Sequence, residues 1–242
     1  MSDLAAILER DGHVLSQRVL DVMYRDAFWS ERFGERGRRH ADEDSDFHLR
    51  YLARALAAGD GAILVRYATW LREVLATRGM CTRHLDENFR LLAHELAATG
   101  WPGSDIATGY LERARQALRH ESPDARWVQD HADGIAAALV RHVRARHPSG
   151  WKHGDERGPD AGLADDAANY VSYVADAAAF GSGETLVAHA RWFAGHLQRH
   201  GLRTQQAHAF LEASAAALEE AHAPPRVLEI ARQAAPVSRA PA

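Results

Sequence analysis

Residues 44–96 read DSDFHLRYLARALAAGDGAILVRYATWLREVLATRGMCTRHLDENFRLLAHEL, and residues 166–218 read DAANYVSYVADAAAFGSGETLVAHARWFAGHLQRHGLRTQQAHAFLEASAAAL. Set against each other without a gap, 122 positions apart, they agree at 16 of 53 positions. The agreements include Asp44/Asp166, Tyr51/Tyr173, Gly59/Gly181, Gly61/Gly183, Trp70/Trp192, Gly79/Gly201 and Thr82/Thr204. Trp, Gly and Tyr recurring together are not what an alanine-rich composition produces by itself. The sequence therefore reads as a tandem duplication.

The period inside each copy is helical. Leu49, Leu52, Ala53 and Leu56 form one stripe, and Leu64, Ala68, Leu71 and Leu75 form another, the spacing of amphipathic helices. Gly59-Asp60-Gly61 and Gly181-Ser182-Gly183 break the pattern at matching places. Gly79 and Gly201 read as glycines just past a helix end, with Thr82 and Thr204 as caps of the next helix. Helices are expected over Asp3 to Arg25 and Trp127 to Arg146 before the copies, and over Ser104 to His120 and Pro225 to Ala234 after them. Polar, glycine-containing loops are expected at Trp29 to Asp42 and Trp151 to Ala164. The expectation is an all-α chain built from two helical units of about 120 residues, each globin-like or a four- or five-helix bundle. The first unit would span 1–121, the second 122–234, and a disordered tail 235–242. Two homologous units in one chain are expected to pack about a pseudo-two-fold axis, as an internal pseudo-dimer or within a homodimer.

Bulk properties narrow the class. The chain has 242 residues, 46% hydrophobic and 26% charged, with a formal net charge of −4. That balance offers no basic face for nucleic acid. No basic segment leads into an apolar one at the N-terminus, and no stretch approaches 18 unbroken apolar residues, so neither export nor a membrane span is expected. Cys81 is the single cysteine, which excludes an internal disulfide framework and fits a cytoplasmic protein. It has no evident histidine partner and is assigned no catalytic role.

Candidate site residues come from places where the copies differ in polar chemistry. Asp44 and His48 are four apart and share a helical face that Tyr51 continues. They could form a ligand site or a proton-sharing pair, or Asp44 could simply cap its helix. In the second copy Asp166 remains, His48 is exchanged for Tyr170, and Tyr67 is exchanged for His189. His189, Phe193, His196 and His200 form a continuous stripe, and the last pair has a spacing that suits two ligands of one metal. Trp70 and Trp192, with Tyr51 and Tyr173, are either core anchors or the walls of a pocket between helices. The remaining histidines, His13, His84, His120 and His222 among them, are expected to be solvated.

A leading helix, an aromatic loop with Trp29, the pair Tyr51-Leu52, and a helix ending Leu75-Ala-Thr-Arg78-Gly79 occur in this order. The second copy repeats them as Trp151, Tyr173-Val174 and Leu197-Gln-Arg-His200-Gly201. This layout resembles the globin-like sensor domains of bacterial stress-signalling co-antagonists of the RsbR type, and the helical caps of cobalamin-binding modules have a similar helix order. The resemblance implies a non-catalytic input domain that dimerises and takes a small ligand. Departures are the fusion of two copies and the lack of a following signalling or cobalamin-binding domain.

Three functional expectations follow. The first is a cytoplasmic, non-catalytic small-ligand-binding or sensory module. The others are a metal- or haem-binding helical protein with a redox role, and an adaptor that docks a partner protein.

Overall fold

The computed structural model describes residues 3–147, 159–199 and 204–234. Among them the chain forms twelve helices and no strand. The expected disordered tail, the segment around Trp151, and His200 with Gly201 lie outside the described residues. No helix among the described residues is long and apolar enough to cross a membrane.

The helices group into two compact units. One comprises residues 1–75 and 83–119, the other residues 76–82 and 120–242. The first contains α1 (Asp3–Asp11), α2 (His13–Met23), α3 (Ala27–Ala58), most of α4 (Ala62–Thr77), most of α5 (Thr82–Ala98) and α6 (Ser104–Gln116). The second contains α7 (Pro123–Asp130), α8 (Ala132–Arg146), α9 (Pro159–Phe180), α10 (Glu184–Arg199), α11 (Thr204–Glu220) and α12 (Pro225–Ala234). The helices α4 and α10 each have 16 residues, and α5 and α11 each have 17. Their starts, Ala62 and Glu184, and Thr82 and Thr204, are both 122 positions apart.

Several boundaries differ from the sequence expectation. The leading helix of each half is two helices, broken at Gly12 and at His131. The expected loop 29–42 is helical, because its four arginines and two glutamates are good helix formers and outweigh two glycines. Asp26 caps α3 by accepting from the Phe28 amide at 2.9 Å. Gly34 then bends the helix with φ 62° and ψ −168° and the chain resumes helical geometry. Asp44 and Asp166 consequently lie well inside α3 and α9, so neither is a helix cap.

The glycine corners behave as expected where they are described. Gly59 and Gly181 close α3 and α9 with φ of 63° and 68°, left-handed values that an L side chain adopts at a cost. Gly79 has φ 80°. A Gly79→Val substitution is therefore expected to destabilise by about 1–3 kcal/mol, read as a lowered urea midpoint; an unchanged midpoint would refute the corner. Thr82, expected as the cap of α5, is instead its first residue, and its hydroxyl donates to Asp176.

In the first unit α3 packs on α1, α2 and α6, around buried Leu4, Leu15, Leu52 and Leu64. In the second unit α9 is central, packed on α7, α8, α10 and α12. Every residue from Tyr173 to Ala178 is buried, so this stretch of the helix lacks a solvent face and its sequence alternates little. A charged residue in that run, Asp176, requires partners.

Candidate functional site

Two polar centres sit on the helices just described, one in each unit. In the first unit, His48 on α3 and Tyr67 on α4 face each other across the core. Both are buried, at 5% and 4% exposure, and His48 Nδ1 lies 2.7 Å from the Tyr67 hydroxyl. Tyr51, one turn after His48, stacks on Tyr67 with ring centroids 4.0 Å apart and planes at 14°. Phe89 meets the His48 ring edge-on at 5.2 Å. Burial alone pushes His48 down to about 3, so it is neutral at ordinary pH. Burial, with smaller contributions from Asp44 and Tyr51, raises Tyr67. The Asp44, His48, Tyr51 and Tyr67 of the sequence reading thus do come together. His48 is a core residue, with Tyr67 as its bonded partner.

Trp70 continues the stack. Its ring lies 6.1 Å from that of Tyr67, yet the residue is 57% exposed. The reading of Trp70 as a core anchor or pocket wall is corrected: α4 turns positions 62, 66, 70, 73 and 77 outward, and Trp70 lies on that line. Trp70→Ala is accordingly expected to change stability by no more than about 0.5 kcal/mol, measured by urea unfolding. Around the ladder Arg54 lies over the Tyr51 ring at 5.4 Å and Arg50 over the exposed Phe47 at 5.4 Å. Arg66 is exposed one turn before Trp70.

The second unit repeats the stack with the exchanged residue types. Tyr173 stacks on His189 at 4.0 Å and 18°, and Trp192 follows at 5.9 Å. Trp192 stacks in turn on buried His196, centroids 4.8 Å apart. Tyr170 lies 6.5 Å from His189, ring to ring, and burial pushes its phenol up to about 12 against a smaller opposing pull from Ser214. Beside Tyr170 is a narrow apolar crevice lined by Ile135, Leu139, Val171, Val174, Ser214 and Leu218. No point in it accommodates a water-sized molecule, so it is a packing gap, not a ligand pocket. Asp166 is buried on α9. Among the described residues no three His, Cys, Asp or Glu side chains gather as a metal would need, and His196 is engaged by the Trp192 ring.

The second polar centre has no counterpart in the sequence reading. Asp176, 2% exposed, accepts from the Thr82 amide at 2.7 Å and from the Thr82 hydroxyl at 2.6 Å. It also pairs with His120 Nε2 at 2.7 Å. The His120 amide donates to Gln129 Oε1 at 2.9 Å, and the Tyr173 hydroxyl donates to the Gly79 carbonyl at 2.7 Å. This cluster ties the corner 76–82 and the segment after α6 to α9. His120 and His84, expected to be solvated, are buried at 2% and 3%. His84 sits in a ring cluster with Phe28, Trp29 and Phe33, at centroid distances of 5.2, 4.9 and 6.3 Å. The signal for Asp176 was present in the sequence: a lone aspartate within Tyr173-Val-Ala-Asp-Ala-Ala-Ala-Phe180, a run otherwise free of charge. Nothing in the sequence marked Thr82 and His120 as its partners, because they are 94 and 56 positions away.

No family model, no curated protein and no solved structure matches the chain.

Proposed function

We propose that this chain is a non-catalytic sensory or regulatory module, a duplicated globin-like helical unit, whose effector meets the Tyr51–Tyr67–Trp70 ladder of the first unit. The observation that carries the reading is Trp70, a large indole held 57% exposed at the end of a stack that runs through buried Tyr67 to half-buried Tyr51. An exposed indole offers a flat apolar face for stacking and an N–H for hydrogen bonding. The duplication is supported by helices of equal length at a fixed spacing and by the repeated 4.0 Å stack. The non-catalytic reading is supported by burial: His48, His84, His120, His189 and His196 are each no more than 5% exposed, out of reach of a substrate.

The chemistry of the face selects the effector. A planar ring would stack on Trp70, and an anionic substituent would meet the exposed guanidinium of Arg66 or Arg54. The proposed effector is therefore a planar, anionic aromatic molecule. Calorimetric titration with a panel of planar aromatic carboxylates and sulfonates tests this. Wild type and Trp70→Phe are expected to bind, and Trp70→Ala to bind about tenfold more weakly or not at all, a loss of roughly 1.4 kcal/mol. Equal affinity in Trp70→Ala, or no binding by the wild type, would remove the proposal.

A further inference from the structure

The His48–Tyr67 pair has a chemistry of its own. The phenol is the stronger acid of two neutral groups, so Tyr67 donates and His48 Nδ1 accepts, leaving the imidazole proton on Nε2. Burial holds the imidazole neutral, its pKa pushed down to about 3, and holds the phenol protonated. The Tyr67 proton thus already rests against a base, 2.7 Å from donor oxygen to acceptor nitrogen. The Tyr67 ring is also in series with two others, Tyr51 at 4.0 Å and Trp70 at 6.1 Å, and Trp70 reaches solvent. A path of aromatic rings therefore runs from the surface to a buried, hydrogen-bonded phenol.

We infer that Tyr67 is a redox-active tyrosine, oxidised by one electron through Trp70 while its proton passes to His48 Nδ1. The oxidant is an outer-sphere one-electron acceptor at the surface, which takes one electron from Trp70 and is reduced by one. Tyr67 returns an electron to the Trp70 radical cation. As it does so the Tyr67 O–H bond breaks and an N–H bond forms at His48 Nδ1. The products are the neutral Tyr67 radical, the His48 imidazolium and intact Trp70. The protein gains one positive charge and releases no proton, and an electron from a one-electron donor reverses every step.

The surroundings suit this transfer. A phenol radical cation is a far stronger acid than even a buried imidazolium, so the proton moves to nitrogen. The Asp44 carboxylate, whose field already acts on Tyr67, offsets the new positive charge. Exclusion of water by Phe89 and the rest of the core keeps the transferred proton where it can return. In the second unit the residue types are exchanged, with Tyr170 and His189 rings 6.5 Å apart, and Tyr170 serves as an internal control.

The test is laser flash oxidation of the full chain with photogenerated tris(bipyridyl)ruthenium(III), followed by transient absorbance and freeze-quench electron paramagnetic resonance. The expected result is a tyrosyl radical that forms more slowly in heavy water, disappears in Tyr67→Phe and persists in Tyr51→Phe and Tyr170→Phe. His48→Gln keeps a hydrogen-bonding group but loses the base, and is expected to slow formation by about tenfold, equivalent to roughly 1.4 kcal/mol of barrier. Trp70 is exposed, so Trp70→Phe keeps the fold and is expected to slow formation as well. A radical that survives in Tyr67→Phe, or one formed at the wild-type rate in either His48→Gln or Trp70→Phe, would overturn the inference.

Discussion

Asp176→Ala is expected to destabilise the protein by about 3–5 kcal/mol, because it removes the shared acceptor of three buried donors at a cost of about 1–3 kcal/mol for each group left unsatisfied. The alanine strands the Thr82 amide, the Thr82 hydroxyl and His120 Nε2, three donors that now converge on one carboxylate within 2.7 Å. Water cannot replace the carboxylate easily in a run where every residue from Tyr173 to Ala178 is buried. Asp176→Asn should cost less than Asp176→Ala, because the amide oxygen still accepts, but its NH₂ group turns a donor toward donors. Chemical unfolding curves for the three proteins give the order directly. If Asp176→Ala unfolds at the wild-type denaturant concentration, the carboxylate is not holding the corner 76–82 to α9.

Mild acid is expected to produce a loss of similar size without any mutation. His48 and His84 are each pushed down to about 3 in the folded chain, His48 by burial and His84 by burial with help from Arg83 and Arg32. In the unfolded chain both titrate near 6.5. Between these values the unfolded state holds protons that the folded state refuses, so stability falls as the pH drops through that window and is fully present above it. From pH 7 to pH 5 the two histidines together remove about 4 kcal/mol. Urea unfolding at the two pH values measures the sum. A stability that does not change between them would show that both imidazoles titrate in the native protein, and His84→Leu should remove about half of the slope.

Much of the architecture was legible because its signals are local. Paired glycines at 59 and 181 end helices where the hydrophobic stripe stops, and of the positions exchanged between the copies His48 and Tyr67 do bond, while His189 stacks on Tyr173. What misled was equally physical. Glycines in the 29–42 stretch suggested a loop, but a helix tolerates one kink when the flanking residues favour it. Trp70 looked like a core anchor because tryptophan is large and recurs, yet recurrence fixes a position on a helix and not the side that faces water. The pairing of Asp176 with His120 is not legible in the sequence, because a buried polar group is defined by partners distant in the chain and no period along one helix reveals them.

The tie between Thr82 and Asp176 also bears on how the chain is made. At about 5–20 residues per second of synthesis, roughly 5–20 s separate the appearance of Thr82 from that of Asp176, 94 residues later. During that interval the helices of the first unit can assemble, while the corner 76–82 has no carboxylate to receive it, since that corner belongs to the compact unit still being translated. The nascent chain therefore passes through a stage in which its first half is nearly finished but one corner, with the side chain of Cys81, is uncovered. It is at this stage, rather than in the finished protein, that a chaperone or an oxidant would find the cysteine.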